Sequence, residues 1–379
     1  MWIGSAKSAV CPVDPRCCHA RPARNNSAGS PPADRAEHVV RSGSLNLDAP
    51  RELVCFGDKV CDDAADDAGL YRARGTREFR PTSTGSVPGW NRSAVTFQIH
   101  DGLAVYQVGA GAPVLVLPYP HAGTLRPMGE DRLPQLLAGL GRKAITFDPP
   151  GAYRSTRPMS CEMAEMLDSA AESLAVAGAD PPVDVVGHSM GALCALGLAV
   201  ERPDLVRRLV LIGACSGFAA VRRWSVPHNW SPWRDREWWQ CLWWGIRQMT
   251  GTGNLAVYNK LANLVESASV VDGSYAEYFL VEPGDHRKPP LPRARWLRSV
   301  RRVEYRHRLH EVQAPTLLLV GRHDPQTPLP CANELAAGIP RCRTVVFAHS
   351  GHAPFLEETA LFTDVVGEFL AEPRTDSHD

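Results

Sequence analysis

The sequence predicts an α/β protein: a mostly parallel eight-stranded sheet flanked by helices, with a helical cap inserted late in the chain. Three observations carry this reading. From residue 94 onward, short apolar runs alternate with amphipathic stretches, a strand–helix rhythm that closes into a parallel sheet through right-handed crossovers. One of these runs, 183–187, passes directly into Gly187-His188-Ser189-Met190-Gly191 and then into a small-residue helical run at 192–199. The rhythm stops between 217 and 311, in a tryptophan-rich stretch, and resumes afterwards.

Taken in order, residues 1–90 are dominated by Pro, Arg, Ala, Ser and Asp, with few apolar residues, and are predicted to be disordered. Cys11, Cys17, Cys18 and His19, like Cys55 and Cys61, lack the spacing of a zinc site, so no metal is expected there. The first part of the core spans 91–216. Residues 95–99 and 103–108 alternate around Asp101-Gly102, a hairpin signal. Stretches 113–118 and 143–147 are continuously apolar, as strands buried on both faces are, and 129–140 between them is amphipathic. Residues 161–177 place Met163, Met166, Leu167, Ala170, Leu174 and Ala175 at helical spacing. After the strand and helix around Ser189 comes another strand at 208–212. The cap, 217–311, reads as helices broken by Gly and Pro, and its tryptophans are either a packed cap core or the wall of a pocket. The second part of the core, 312–372, holds strands at 315–320 and 344–347 and a helix at 355–371. A disordered tail, 373–379, ends the reading.

Composition sets the partners. Hydrophobic residues at 44% and charged residues at 22% are those of a globular protein, and 41 basic against 41 acidic residues leave no field to attract nucleic acid or an anionic membrane. No run approaches the roughly 20 apolar residues of a membrane span, and residues 1–7 do not begin a secretory signal. Eleven cysteines, an odd count without paired spacing, favour reduced thiols and a cytoplasmic setting. The expected partner is therefore a small molecule selected by a pocket. The sequence carries no signal for oligomeric state.

A serine hydroxyl is a poor nucleophile near neutral pH and needs a histidine base oriented by a carboxylate. Both follow Ser189 in the chain order Ser, acid, His. Asp324 lies in Gly321-Arg322-His323-Asp324-Pro325, just past the strand at 317–320, and His352 lies in His349-Ser350-Gly351-His352-Ala353-Pro354-Phe355, just past the strand at 344–347. Both loops open at the carboxyl ends of parallel strands, the edge where ligands bind in open α/β sheets. His188 sits within the turn itself and is poorly placed as a base. His121, His323 and His349 read as loop residues, and Asp148 as a cap on the turn after it.

On these motifs, with Asp148-Pro149-Pro150-Gly151-Ala152-Tyr153-Arg154-Ser155, the chain from about 94 to 371 resembles the α/β-hydrolase superfamily. The branch it resembles carries a helical cap after the sixth strand and includes proline iminopeptidases and esterases. Tyr153 stands where the family's Asp-x-x-Gly-x-Gly-x-Ser turn has its second glycine. The resemblance implies an α/β-hydrolase fold in which Ser189 attacks, His352 relays the proton and Asp324 orients His352. It implies an oxyanion hole of two backbone N–H groups, one from Met190 and one from the loop at 118–124, from Ala122 or Gly123, with Gly123 favoured. No cofactor or metal is implied. The expected reaction is cleavage of a carboxylic ester or related acyl bond through an acyl-serine. Alternatives on the same fold are an aminopeptidase, a carbon–carbon bond hydrolase or an acyltransferase. The non-enzyme alternatives are a ligand receptor with a vestigial triad and a scaffold acting through the N-terminal segment. Cap carboxylates Asp235, Glu237, Glu266, Glu277 and Glu282 are either a solvated face or an ammonium site of the kind proline iminopeptidases use. This chain lacks the His-Gly-Gly-Pro-Gly loop and the Trp after the nucleophile that those peptidases carry.

Overall fold

The computed structural model describes residues 53–56, 93–119, 126–158, 162–231, 233–249, 260, 263–279, 299 and 301–372. Their strands form one sheet, ordered from edge to edge 53–56, 342–347, 316–321, 206–212, 183–188, 112–117, 142–147, 103–108 and 95–100. β2 (Val95–His100) and β3 (Leu103–Val108) are the predicted hairpin. Its turn residues Asp101 and Gly102 both take positive φ, 44° and 77°, which matches the right-handed twist of the flanking strands. β3 also runs antiparallel to β5 (Arg142–Phe147). All other pairings, among β4 (Ala112–Leu117), β5, β6 (Val183–His188), β7 (Val206–Ile212), β8 (Thr316–Gly321) and β9 (Cys342–Phe347), are parallel.

These eight strands are the predicted ones. A ninth, β1 (Leu53–Phe56), pairs in parallel with β9 at the sheet edge. It falls in the stretch where the sequence reads as disordered; four apolar residues amid polar sequence give no periodicity, and the strand exists only through its long-range partner. The rest of that stretch, like the tail at 373–379, lies outside the described residues.

Strand alternation divides the core into two layers. Leu115 and Leu117 of β4 and Leu209 and Leu211 of β7 face one side, with α2 (Met163–Val176), α3 (Met190–Glu201) and the helix Leu329–Gly338 packed on them. Val114 and Val116 of β4 and Val210 and Ile212 of β7 face the other, under α1 (Arg132–Gly139) and the helix Thr359–Ala371. α1 starts where the Asp131 carboxylate accepts the Leu133 N–H at 3.1 Å, a side-chain cap on an otherwise orphaned donor. The last helix buries Phe362, Val365, Val366, Phe369 and Leu370. Each such side chain stabilises by about 1.5–3 kcal/mol relative to exposure, which fixes the helix to the sheet.

The inserted segment leaves the core after β7 and returns before β8. Its neck is closed by a Gly217–Glu304 bridge, with Tyr305 N–H donating to Ser216 O at 2.8 Å. Its described helices are α4 (Phe218–Trp224) and α5 (Arg236–Met249). The tryptophans correct one expectation. None with a described side chain is buried: Trp233 is 94% exposed, Trp239 and Trp243 are exposed, and Trp224, Trp230, Trp238 and Trp244 are half-buried. Trp224 packs on the small buried cluster of Cys215, Ala220 and Cys331, while Trp238 lies edge-on to Trp239 at 4.8 Å and Lys260 over Trp244 at 4.8 Å, so among the described residues the tryptophans build no apolar core of their own. Among the described residues no helix is long and apolar enough to cross a membrane.

Candidate active site

β6 delivers the chain into a tight turn at Ser189, whose φ of 54° and ψ of −118° lie outside the regions open to most side chains. Such backbone costs on the order of 1–3 kcal/mol and survives only where its surroundings enforce it. Two glycines make the turn possible. A Cβ on Gly187 would run into the carbonyl of Gly191, and one on Gly191 would run into the carbonyl of Leu117 on β4. The backbone is then fixed at both ends, Ser189 N–H donating to Ile212 O at 2.9 Å and Leu193 N–H donating to Ser189 O at 3.1 Å. Met190 is the first residue of α3, so its N–H has no intrahelical acceptor and sits at the positive end of the helix dipole.

Asp324 and His352 meet at the carboxyl edge of the sheet, in the loops after β8 and β9. His352 Nδ1 lies 2.8 Å from Asp324 Oδ2, and the two residues are 1% and 0% exposed. The carboxylate also accepts the backbone N–H groups of Gln326 at 2.8 Å and Thr327 at 3.0 Å, and the Thr327 hydroxyl at 2.8 Å. With Nδ1–H donating to an ionised carboxylate, the other nitrogen, Nε2, carries the lone pair. That atom is buried and has no partner among the described residues. Burial disfavours the imidazolium, but the charge and hydrogen bond of Asp324, followed by Glu266 and Glu357, outweigh it and hold His352 above its ordinary value. Burial likewise opposes the Asp324 carboxylate, and His352 and the Thr327 donors overcome it, leaving Asp324 below the usual carboxylate range. Only neutral imidazole can take a proton, so kcat/KM is expected to be full on the alkaline side and to fall as pH drops through a value above 6.5. A pH–rate profile whose acid limb lies at or below 6 would contradict the arrangement.

The neighbouring histidines have other tasks. His188 Nε2 is 2.8 Å from the His352 carbonyl, which can only accept, so Nε2 carries the proton and Nδ1 accepts the Tyr119 hydroxyl at 3.0 Å. Burial and the His352 charge push it down to about 3, so it stays neutral. It is a strut under His352 and not a base. His323 and His349 are exposed beside the buried pair. Asp148 caps its turn as expected, accepting Arg154 N–H at 3.0 Å, but it also accepts Tyr106 O–H at 2.6 Å and Met128 N–H at 2.9 Å. Tyr153 takes the positive φ, 40°, of the glycine it replaces in that turn. Gly123, Ala122 and His121 lie outside the described residues.

Residues 122–359, well over half of the chain, match the sequence profile of the α/β hydrolase fold. The chain belongs to the α/β hydrolase family. It is 32% identical over 201 residues to a 2-hydroxymuconate semialdehyde hydrolase of Pseudomonas sp. (strain CF600), covering 50% of this chain and 62% of that one. It is 32% identical over 182 residues to a pimeloyl-[acyl-carrier protein] methyl ester esterase of Nitrosomonas europaea, covering 45% and 65%. A putative carbamate hydrolase of Variovorax paradoxus is 28% identical over 63% of this chain and 85% of its own. The matches thus span less than two thirds of the first two relatives. Among solved structures, an alpha/beta fold family hydrolase from Bacillus anthracis str. Sterne superposes with a TM-score of 0.60 at 16% identity, over 73% of this chain and 99% of that one. An esterase from Exiguobacterium antarcticum gives 0.53 at 22%, over 73% and 99%. At these identities the likeness is one of fold.

In this α/β hydrolase the inserted segment takes part in the site, which the sequence reading missed. The Ser269 carbonyl accepts the backbone N–H of His352 at 2.6 Å. Glu357 joins the segment to the histidine loop, accepting Val271 N–H at 2.5 Å with one oxygen and Gly351 N–H at 2.7 Å with the other. Gln326 joins it to the acid loop through Ser269 Oγ at 2.8 Å. Gln326 and Glu357 were visible as near neighbours of Asp324 and His352, whereas nothing in the sequence around Ser269 marks it. Of the cap carboxylates, Asp235 and Glu237 lie 3.6 and 3.4 Å from Arg234 and Arg236, their sequence neighbours. Glu266 instead lies against Gln326, 3.2 Å away. The side chains of Glu277 and Glu282 lie outside the described residues.

Proposed function

We propose that the protein is a serine hydrolase that cleaves a carboxylic ester or related acyl bond through an acyl-enzyme. The observation that carries this is the buried 2.8 Å Asp324–His352 contact with an unpartnered Nε2, packed against His188, the residue before a serine held in a strained strand-to-helix turn. In this reading Ser189 Oγ attacks the acyl carbon while its proton passes to His352 Nε2. Asp324 fixes the tautomer and stabilises the imidazolium. The oxyanion takes the N–H of Met190 and a second N–H from the loop at 118–124, for which Gly123 remains the favoured donor. His352 then protonates the departing alcohol, and the carbonyl–oxygen bond breaks to leave the acyl-serine. Water, losing its proton to His352, attacks that ester; the Oγ–acyl bond breaks, His352 returns the proton to Ser189 Oγ and the acid departs. The names of the relatives, an esterase, a carbamate hydrolase and a semialdehyde hydrolase, support hydrolysis and differ in substrate.

The test is a panel of acyl esters graded by chain length, with carbamates and amino-acyl amides included. Ester kcat/KM above that for the matched amides is expected. Preference for amino-acyl amides would replace the esterase reading with an aminopeptidase.

A further inference from the structure

We propose that Glu266, a carboxylate of the inserted segment, is a positioning residue for His352: it braces the acid-bearing loop through Gln326 and lends the imidazole a further negative charge. This rests on the reading of Ser189, His352 and Asp324 given above. Residues 263–266 are helical, and the chain turns tightly after them, Ser269 N–H donating to Glu266 O at 2.9 Å. From this turn the segment reaches both halves of the buried pair. Gln326 donates its backbone N–H to Asp324 Oδ1 at 2.8 Å. Its side-chain amide donates to Ser269 Oγ at 2.8 Å and to Glu266 Oε2 at 3.2 Å. The Ser269 carbonyl holds the His352 backbone. One amide therefore links the Glu266 carboxylate to the residue that orients the base.

Glu266 does not behave as a solvated surface acid. Among the described residues its hydrogen bond is to an amide and not to a cation, and the charged groups bearing on it are His352 and Asp324. Burial pushes its carboxyl up to about 7, so that its charge changes near neutral pH. The titratable groups facing His352 are Asp324 from the loop after β8, Glu266 from the inserted segment, Glu357 from the short helix after the histidine loop, and neutral His188 from the end of β6. Two groups that interact this way titrate as a pair: an ionised Glu266 favours the imidazolium, and the imidazolium favours ionised Glu266. Removing the carboxylate therefore lets His352 lose its proton at lower pH.

The experiment follows the second-order rate of fluorophosphonate labelling of the full chain between about pH 5 and 9, on both sides of the ordinary imidazole value. Glu266→Gln keeps an oxygen for the Gln326 amide and removes only the charge. Its acid limb is expected to move down by about half a pH unit or more relative to wild type. A midpoint that is unmoved or raised, including a rate lowered equally at every pH as a purely structural role would produce, overturns the proposal and leaves the nucleophile assignment standing. Wild-type protein that does not label, or a Ser189→Ala variant that still does, overturns the reading beneath it. Should Glu266→Gln fail to fold, Gln326→Leu decides: it keeps the charge and cuts the brace, and its alkaline plateau rate is expected to fall about tenfold as the acid loop loses its register. A wild-type plateau in that variant overturns the positioning role.

Discussion

Ser189→Ala is expected to end fluorophosphonate labelling and to lower kcat on the best acyl ester by at least about 10⁴-fold, more than 5 kcal/mol of transition-state stabilisation. The size follows from the division of labour in the site. Without Oγ there is no atom to form the acyl intermediate, and the proton path to His352 Nε2 has no donor. Water attack aided by the Met190 N–H is all that remains. The fold should be untouched, because alanine is subject to the same left-handed backbone strain as serine and adds no atom. Thermal unfolding of the variant should therefore match wild type. Residual activity above about 1%, a loss of less than roughly 2.7 kcal/mol, would mean that another group is the nucleophile.

The second large effect is on stability and lies at the opposite edge of the sheet. Asp184 is fully buried near the start of β6. Arg207 grips it with two nitrogens at 2.8 and 2.6 Å, Arg208 lies 3.4 Å away and Arg142 3.6 Å away. Arg142 and Arg208 also donate to the carbonyl of Leu370, so the cluster holds the end of the last helix, where cations complement the exposed carbonyls. The three guanidinium groups share the Asp184 carboxylate, and Glu372 bears on Arg208 besides. Asp184→Ala leaves them mutually repelling in a largely dry site and is expected to cost about 3–5 kcal/mol, read as a lowered urea midpoint at unchanged slope. A cost under about 1 kcal/mol would show that water reaches the cluster and screens it.

The parts of this protein that could be read from its residues are those written locally. Continuous apolar runs such as Val114 to Leu117 announce buried strands because both faces must be apolar. Gly187 and Gly191 announce the turn because no Cβ fits at either position. The order Ser189, Asp324, His352 places the three residues after the ends of β6, β8 and β9, and two of them, Asp324 and His352, do lie within hydrogen-bonding distance. What could not be read depends on pairs far apart in the chain. β1 is four residues whose only reason to extend is β9, nearly 300 residues later. Asp184 looked like a polar residue in an apolar strand; only the fold brings Arg142 to it. Glu266 looked like any cap acid, because its distinction lies in Gln326, 60 residues away. Of the two readings of the tryptophans, a packed cap core finds no support among the described residues, because aromatic content reports the capacity to form a core and not the presence of a partner layer.

The hydrogen bonds from Ser269, Val271 and Gln326 bear on how this architecture can change over evolutionary time. An insertion joined to the core only by its neck would be a detachable module, lost or exchanged without harm to the chemistry. Here the insertion contributes the acceptor for the backbone of His352, and Glu357 on the core side is committed to donors within the insertion. Excising it would leave the histidine loop without one of its supports and strip Glu357 of the Val271 and Asp272 donors. Residues 263–272 are therefore tied by hydrogen bonds to the loops bearing Asp324 and His352, so that a change in either calls for a matching change in the other.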